Sequence, residues 1–205
     1  MSKQKTIFVS TAIPYVNARP HIGFALELVQ ADVIANYYRK KGFNVFFLTG
    51  TDENSLKNVK AAKELNLTTK ELCEINSAAF KELSRLLEIS NDYFIRTSIE
   101  EKHKQAAQKL WKITKDKYII KKYYRGLYCV GCEDFYSETE LIDNKCPEHK
   151  TELEKVEEEN YFFRLSEFQE SLFDLISLNK LEIVPEKRAN EIVSFIKGGL
   201  KDFSI

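Results

Sequence analysis

Two groups of residues in this 205-residue chain have types and spacings that could do chemistry. The first is Cys129-x2-Cys132 followed by Cys146-x2-His149. A two-residue spacer lets both ligands of a pair face one point, and four such donors suit a tetrahedral zinc ion. Gly131 is expected to supply a positive φ that turns the first pair, and Pro147 to stiffen the second. Four protein ligands leave no open position for water, so the metal would be structural, holding together a module whose core is too small to fold alone. The alternative is three chance cysteines beside a surface histidine. Cys73 stands apart in a helical pattern and reads as a small buried apolar residue.

The second group is Pro20-His21-Ile22-Gly23, where a strand-like run gives way to an apolar helical pattern. The free amides of a first helical turn, with the positive end of the helix dipole, form a site for phosphate. Pro20 is expected in that first turn, where its missing N–H costs nothing. His21 adds a side-chain donor, and Gly23 omits a Cβ so that a flat ligand can lie on the backbone. A histidine near a helix start more often has a structural role, so the surrounding pattern must decide.

The elements that would position these groups follow from periodicity. Residues 6–13 read as a buried strand, 23–41 as a helix carrying Phe24, Leu28, Val29, Val33, Ile34 and Tyr37, and 44–48 as a second strand ending in Thr49-Gly50-Thr51-Asp52-Glu53. Gly42 stops the helix. Strand, helix and strand within about 45 residues make one right-handed βαβ unit. Helices are expected over 55–65 and 69–87, the second capped by Thr68 or Thr69 with Glu71, then a strand over 93–96 and a helix over 99–116. This is a doubly wound α/β pattern, whose ligands bind at the carboxyl ends of the strands. From Tyr118 to Glu159 the pattern changes to short β-like runs, turns and acidic stretches, which reads as a small module inserted in the larger domain. A strand over 161–165 and helices over 166–178 and 186–197 follow. Trp111 is expected in the core, and Glu154-Lys-Val-Glu-Glu-Glu-Asn160 as a solvated face or turn.

Composition narrows the classes. Hydrophobic residues make up 43% and aromatics 12%, enough for a substantial core. Lys plus Arg and Asp plus Glu are 31 each, so bulk charge does not hold nucleic acid, and any such partner must meet a local surface. No apolar run approaches the roughly 18 residues of a membrane span, and the N-terminus lacks the pattern of a secretory leader. The chain therefore reads as cytoplasmic, and in a reducing compartment clustered cysteines argue for a metal.

His21-Ile22-Gly23-Phe24 resembles the His-Ile-Gly-His signature of class I aminoacyl-tRNA synthetases. Ala12-Ile13-Pro14-Tyr15-Val16-Asn17, Gln30-Ala31-Asp32-Val33, Thr49-Gly50-Thr51-Asp52-Glu53 and Arg125-Gly126-Leu127-Tyr128 before the first cysteine extend the likeness from residue 6 to the end. Together with a single zinc knuckle in an insertion, they resemble the methionyl-tRNA synthetase family. The resemblance implies an α/β fold with a Rossmann-like (HUP-type) parallel sheet and a small zinc-binding β-rich insertion. It divides the chain into residues 1–117 of the catalytic domain, a connective insertion over 118–160, and a return to the catalytic domain over 161–205. It implies activation of methionine by ATP, with Mg2+, to methionyl-adenylate, then transfer to tRNA(Met). Catalytic roles fall on His21 and Asp52. Asn17, His21, Gly23, Phe24 and Glu27 lie at the nucleotide. Ala12, Ile13, Tyr15 and Asp52 lie at the methionine, with Asp52 pairing the ammonium. The metal ligands are Cys129, Cys132, Cys146 and His149. Each role has a plainer counterpart, Tyr15 as core packing and Asp52 as an N-cap.

The chain departs from the family pattern in two places. Phe24 stands where a second histidine is usual and cannot donate to phosphate, and Asn54-Ser55 follows Glu53 where His-Gly is common. No Lys-Met-Ser-Lys-Ser-like loop follows, so the 205 residues are expected to be an N-terminal portion of a longer enzyme and inactive or nearly so alone. The competing expectations are another class I synthetase, and a non-catalytic synthetase-like module that binds zinc and RNA.

Overall fold

A computed structural model describes residues 5–132, 134–136 and 140–205. Residues 1–4, part of the segment that argued against a leader, lie outside the described residues. The chain divides into two compact units, Met1–Ala106 and Ala107–Ile205.

The first unit is built on a parallel sheet in the order β1 (Thr6–Ser10), β2 (Asn44–Thr51), β3 (Tyr93–Arg96). The register pairs Thr6 with Asn44 and Thr51 with Arg96. Between the first two strands runs α1 (Ile22–Lys40), and between the second and third run α2 (Leu56–Glu64) and α3 (Thr69–Leu86). The buried residues of α1 are Phe24, Leu28, Ala31 and Ala35, a stripe at intervals of four, three and four that faces one side of a helix. The two alanines bring α1 close to the sheet over Val45 and Phe47, with Ile7 and Val9 alongside. Phe24 and Leu28 pack with Val16, Cys73 and Phe80. Burial of each large side chain here contributes roughly 1.5–3 kcal/mol. Val29, Val33, Ile34 and Tyr37, whose apolar spacing marked the helix, are exposed. The pattern of apolar residues on α1 is nearly continuous, and small residues rather than bulky ones select the face that meets the sheet.

Local signals set the helix ends. Thr68 and Glu71 form a reciprocal capping box on α3, and Ser55 caps α2 by accepting from Lys57 N at 3.0 Å. Helix α1 ends at Lys41, with Gly42 following at φ 81°. Pro20 lies just before the N-cap His21 rather than inside the first turn.

α4 (Glu101–Tyr118) crosses from the first unit into the second and buries no residue. The second unit carries an antiparallel sheet in the order β5 (Asp134–Tyr136), β4 (Ile119–Cys129), β6 (Glu154–Phe163), β7 (Phe203–Ser204). The acidic run expected as a solvated face or turn is the first part of β6, with Glu154, Lys155, Glu157 and Glu159 exposed as a solvated face requires, and the ten-residue strand pairs with β4 from Ile119↔Phe163 to Tyr128↔Glu154. Lys121 faces Tyr161 and Lys122 faces Asn160, and Lys121 reaches diagonally to Glu159 in an exposed ion pair. Trp111 is 38% exposed and meets Tyr161 edge to face at 5.1 Å, a flank contact and not a core one. A second core of Ile176, Ile196 and Leu200 joins α5 (Gln169–Ser177) to α6 (Glu186–Lys197). A 3-10 turn at Leu165–Phe168 precedes α5, where one continuous helix was expected.

Candidate functional site

Past the end of β1, the segment that carries most of the expected site residues is tied to its neighbours one atom at a time. Thr11 N donates to Leu48 O at 3.3 Å, and the hydroxyls of Thr11 and Thr49 lie 2.7 Å apart. Ala12 N donates to Glu27 Oε1 at 2.7 Å, so Glu27 reaches back from α1 to hold the segment. Asp52 N donates to Pro14 O at 2.9 Å, which places Tyr15 beside Asp52 in a parallel bridge. Asn76 Nδ2 donates to Val16 O at 2.6 Å from α3. Tyr15 and Asp52 are thus neighbours at the carboxyl end of the sheet, and Ala12 and Ile13 lie on the same segment as Tyr15. Ala12 is exposed, Ile13, Tyr15 and Asp52 are half-buried, and Lys57 Nζ lies 5.1 Å from the centre of the Tyr15 ring. Asn17 is exposed, and no polar contact among the described residues ties it to this group.

His21 is the N-cap of α1. Its Nδ1 accepts from Gly23 N at 3.0 Å, so the neutral ring carries its proton on Nε2. A Cβ on Gly23 would lie 2.8 Å from His21 Cε1, so the missing side chain makes room for this imidazole, where a flat ligand was expected. The amides of Phe24 and Ala25 donate to His21 O at 3.1 and 3.2 Å. The Gly23 amide is therefore the one that a swing of the imidazole would free. Phe24 is buried to 5% exposure and meets Phe80 edge to face at 5.0 Å, so its side chain is turned away from the helix mouth. Asp52 does not cap α2: its Oδ1 accepts from Asn54 N at 2.9 Å in a local turn, and Ser55 is the cap.

Next to Asp52 lies a network that residue spacing did not reveal. The Glu53 side chain is fully buried and its carboxylate accepts from Arg96 Nε at 2.6 Å, Ser77 Oγ at 2.6 Å, Arg96 Nη2 and Thr51 Oγ1 at 3.4 Å each, and Ser98 Oγ. Arg96 Nη1 continues to Glu74 Oε2 at 2.9 Å. Burial alone would push the Glu53 carboxyl up, but the hydrogen bonds from Arg96, Ser77 and Ser98 together hold it below the usual carboxylate range. Burial, followed by the Glu53 charge, raises the neighbouring Cys73 thiol, which at 4% exposure is the buried apolar residue expected. The available signal was Arg96 ending β3, because a parallel neighbour brings the ends of β2 and β3 together.

In the second unit, Cys129, Cys132, Cys146 and His149 bring one donor atom each to within 4.8 Å of one another. Cys132 Sγ lies 3.5 Å from Cys146 Sγ and 3.2 Å from His149 Nδ1. Tyr136 Oη donates to Cys132 Sγ at 3.0 Å, and His149 N donates to Cys146 Sγ at 3.4 Å. Burial would raise the Cys146 thiol, but the donation from His149 N and its polar neighbours bring it down to about 6. Burial pushes Cys132 up to about 11. Three soft sulfurs and one imidazole nitrogen at this separation fit a metal ion. Gly131 does not take a positive φ. A Cβ there would fall 2.7 Å from Cγ and Cδ2 of His149, so the glycine leaves space for the ligand ring. Gly131→Ala is therefore expected to displace His149 and weaken metal retention about 10- to 100-fold. Competition with a chromophoric chelator measures this, and unchanged retention would remove the steric argument.

Among the described residues no helix is long and apolar enough to cross a membrane. The sequence matches the family described as tRNA synthetases class I (M) over residues 7–156 and 139–205. It is 44% identical over 210 residues to the methionine–tRNA ligase of Brucella suis biovar 1 (strain 1330), with 100% of this chain and 40% of that protein covered. It is 43% identical to the methionine–tRNA ligase of Thermotoga maritima, with 97% and 32% covered. The fold superposes on Mycobacterium tuberculosis methionyl-tRNA synthetase in complex with methionyl-adenylate at a TM-score of 0.91 and 40% identity, covering 98% of this chain and 40% of that one. Against the free-state form of that enzyme the TM-score is 0.78. The chain thus spans about 40% or less of the length of these relatives. With the first stretch of the family match running through the helix mouth, the strand ends and the cysteine cluster, and the second carrying it on to the last residue, the chain belongs to the class I tRNA synthetase family designated (M), that of the methionyl-tRNA synthetases.

Proposed function

We propose that this chain is the part of a cytoplasmic methionine–tRNA ligase that binds ATP and methionine. Residues 1–117 and 161–205 would belong to the catalytic domain and 118–160 to a connective insertion held by structural zinc. The observation that carries the reading is the parallel backbone bridge of Tyr15 with Asp52 at the carboxyl end of the sheet, which makes an aromatic residue and an acidic one neighbours. An amino acid with an apolar side chain needs both. The Asp52 carboxylate pairs with the substrate ammonium, while Ala12, Ile13 and Tyr15 flank the side chain. His21 and the amides at the start of α1 receive the phosphates of ATP, which arrives with Mg2+. Gly23 leaves the space for adenine or for the moving imidazole, and Asn17 and Glu27 border the nucleotide.

In the first step a carboxylate oxygen of methionine attacks the α-phosphorus, and the bond to pyrophosphate breaks as the mixed anhydride forms. In the second, a ribose hydroxyl at the 3′ end of tRNA(Met) attacks the carbonyl carbon and AMP leaves. No protein nucleophile takes part; the residues orient the reactants and stabilise charge on the phosphates. Cys129, Cys132, Cys146 and His149 would hold zinc in a closed site with no part in the chemistry.

Pyrophosphate exchange by the protein at its natural length tests this, with methionine compared against leucine, isoleucine, valine and cysteine. Exchange is expected with methionine. His21→Asn keeps a side-chain oxygen for the cap but loses the imidazole, so exchange should fall about 100-fold or more with the melting temperature preserved. Preference for another amino acid, or full activity of His21→Asn, would defeat the proposal. Failure to bind either substrate in a calorimetric titration would favour a non-catalytic adaptor.

A further inference from the structure

We infer that Thr97 is a positioning residue that holds one carboxylate oxygen of Asp52 and thereby presents the other to the ammonium group of the amino-acid substrate. The inference rests on the reading of Asp52 given above.

The Thr97 hydroxyl has two lone pairs and one proton. Glu53 N donates to it at 2.8 Å and Asn54 Nδ2 at 3.4 Å, which fills both lone pairs. The proton must then go to the remaining partner, Asp52 Oδ1, at 3.4 Å. Asp52 Oδ1 also accepts from Asn54 N at 2.9 Å, so this oxygen has two donors and is fixed as an acceptor. No hydrogen bond reaches Oδ2 among the described residues.

The adjacent carboxylate cannot take the same role. Glu53 is fully buried and saturated by Arg96, Ser77, Thr51 and Ser98. Of the two consecutive acids, one is consumed by the fold and the other keeps an oxygen for a ligand. Thr97, at 6% exposure, joins them, because its hydroxyl receives the backbone of the first and donates to the side chain of the second. Packing alone would be served as well by valine, which has the same shape and no hydroxyl.

The test uses the protein at its natural length in methionine-dependent pyrophosphate exchange. Thr97→Val is expected to raise the KM for methionine about tenfold or more, the loss of a hydrogen bond to a charged group, with the KM for ATP unchanged. Methylthiobutanoate, which is methionine without its amino group, should inhibit Thr97→Val and the unmodified protein equally. Thr97→Ser should restore the KM for methionine. An unchanged KM for methionine in Thr97→Val overturns the inference, as does a parallel loss of methionine and methylthiobutanoate binding, which would mark a packing defect. If Thr97→Val does not fold, Thr97→Cys takes its place with a weaker donor, and there too an unchanged KM for methionine overturns the inference. Absence of exchange in the unmodified protein is a different result: it removes the reading of the site, and this inference with it.

Discussion

Arg96→Ala is expected to lower the stability of the first unit by about 3–5 kcal/mol, the cost of leaving a buried charge without its partner. The Glu53 side chain has no solvent exposure and Arg96 only 20%. Truncating the arginine removes both guanidinium contacts and leaves a carboxylate that water does not reach. Urea titration followed by near-ultraviolet circular dichroism measures the loss, and a change below about 1 kcal/mol, the ordinary value for an exposed pair, would show that the pair is effectively solvated. The pH dependence supplies a second sign. In the unmodified protein the folded-state pKa of Glu53 is depressed. Its contribution is therefore complete above the unfolded value near 4.3 and is lost as pH falls through the folded value. In Arg96→Ala burial is opposed only by the hydroxyls around the carboxylate, so the folded-state pKa rises relative to the unmodified protein and the deficit of the variant should shrink on mild acidification. Glu53→Gln combined with Arg96→Met should recover much of the loss, because no charge is then buried.

The second large effect concerns the cysteine cluster. Removal of a bound metal by a strong chelator, or Cys146→Ser, is expected to abolish the arrangement of Cys129, Cys132, Cys146 and His149 while leaving the first unit folded. Cys129 and Cys146 are almost fully buried at 0% and 1% exposure, yet the three core clusters all lie elsewhere. The ligand bonds must supply what apolar burial does not. Structural zinc contributes on the order of 10 kcal/mol or more to small domains of this kind. One equivalent of zinc per chain by elemental analysis, and loss of amide protection confined to this segment after chelation, are the expected results. Equal protection with and without chelator would show that the module folds on its own contacts.

Elements governed by local chemistry were legible in the sequence. β3 and α6 fall on the expected residues, the Thr68 cap is where the pattern of threonine and glutamate put it, and the cysteine and histidine pairs converge as their spacing required. What the sequence concealed depends on pairing between distant segments. β6 begins in an acidic run that is held as a strand by backbone pairing with β4, a property of two stretches together. Glu53 looked like one more acid after a strand, and only the register of β2 and β3 brings Arg96 to it. Tyr15 and Asp52 were assigned by resemblance, and their contact is a parallel bridge between segments 37 positions apart that no periodicity encodes. Gly131 was visible as special, but for a dihedral angle it does not have instead of the ring it accommodates.

Phe24 bears on inhibitor selectivity. Its ring belongs to the interior wedge between α1 and α3. A compound that draws affinity from an imidazole at this position in a relative would find only hydrocarbon turned inward here, and would forfeit that hydrogen bond. Converting Phe24 to histidine would not supply the missing anchor without also placing a polar ring among Val16, Leu28 and Phe80. For a ligand bound at this helix mouth, as proposed above, His21 would be the single imidazole between residues 20 and 24.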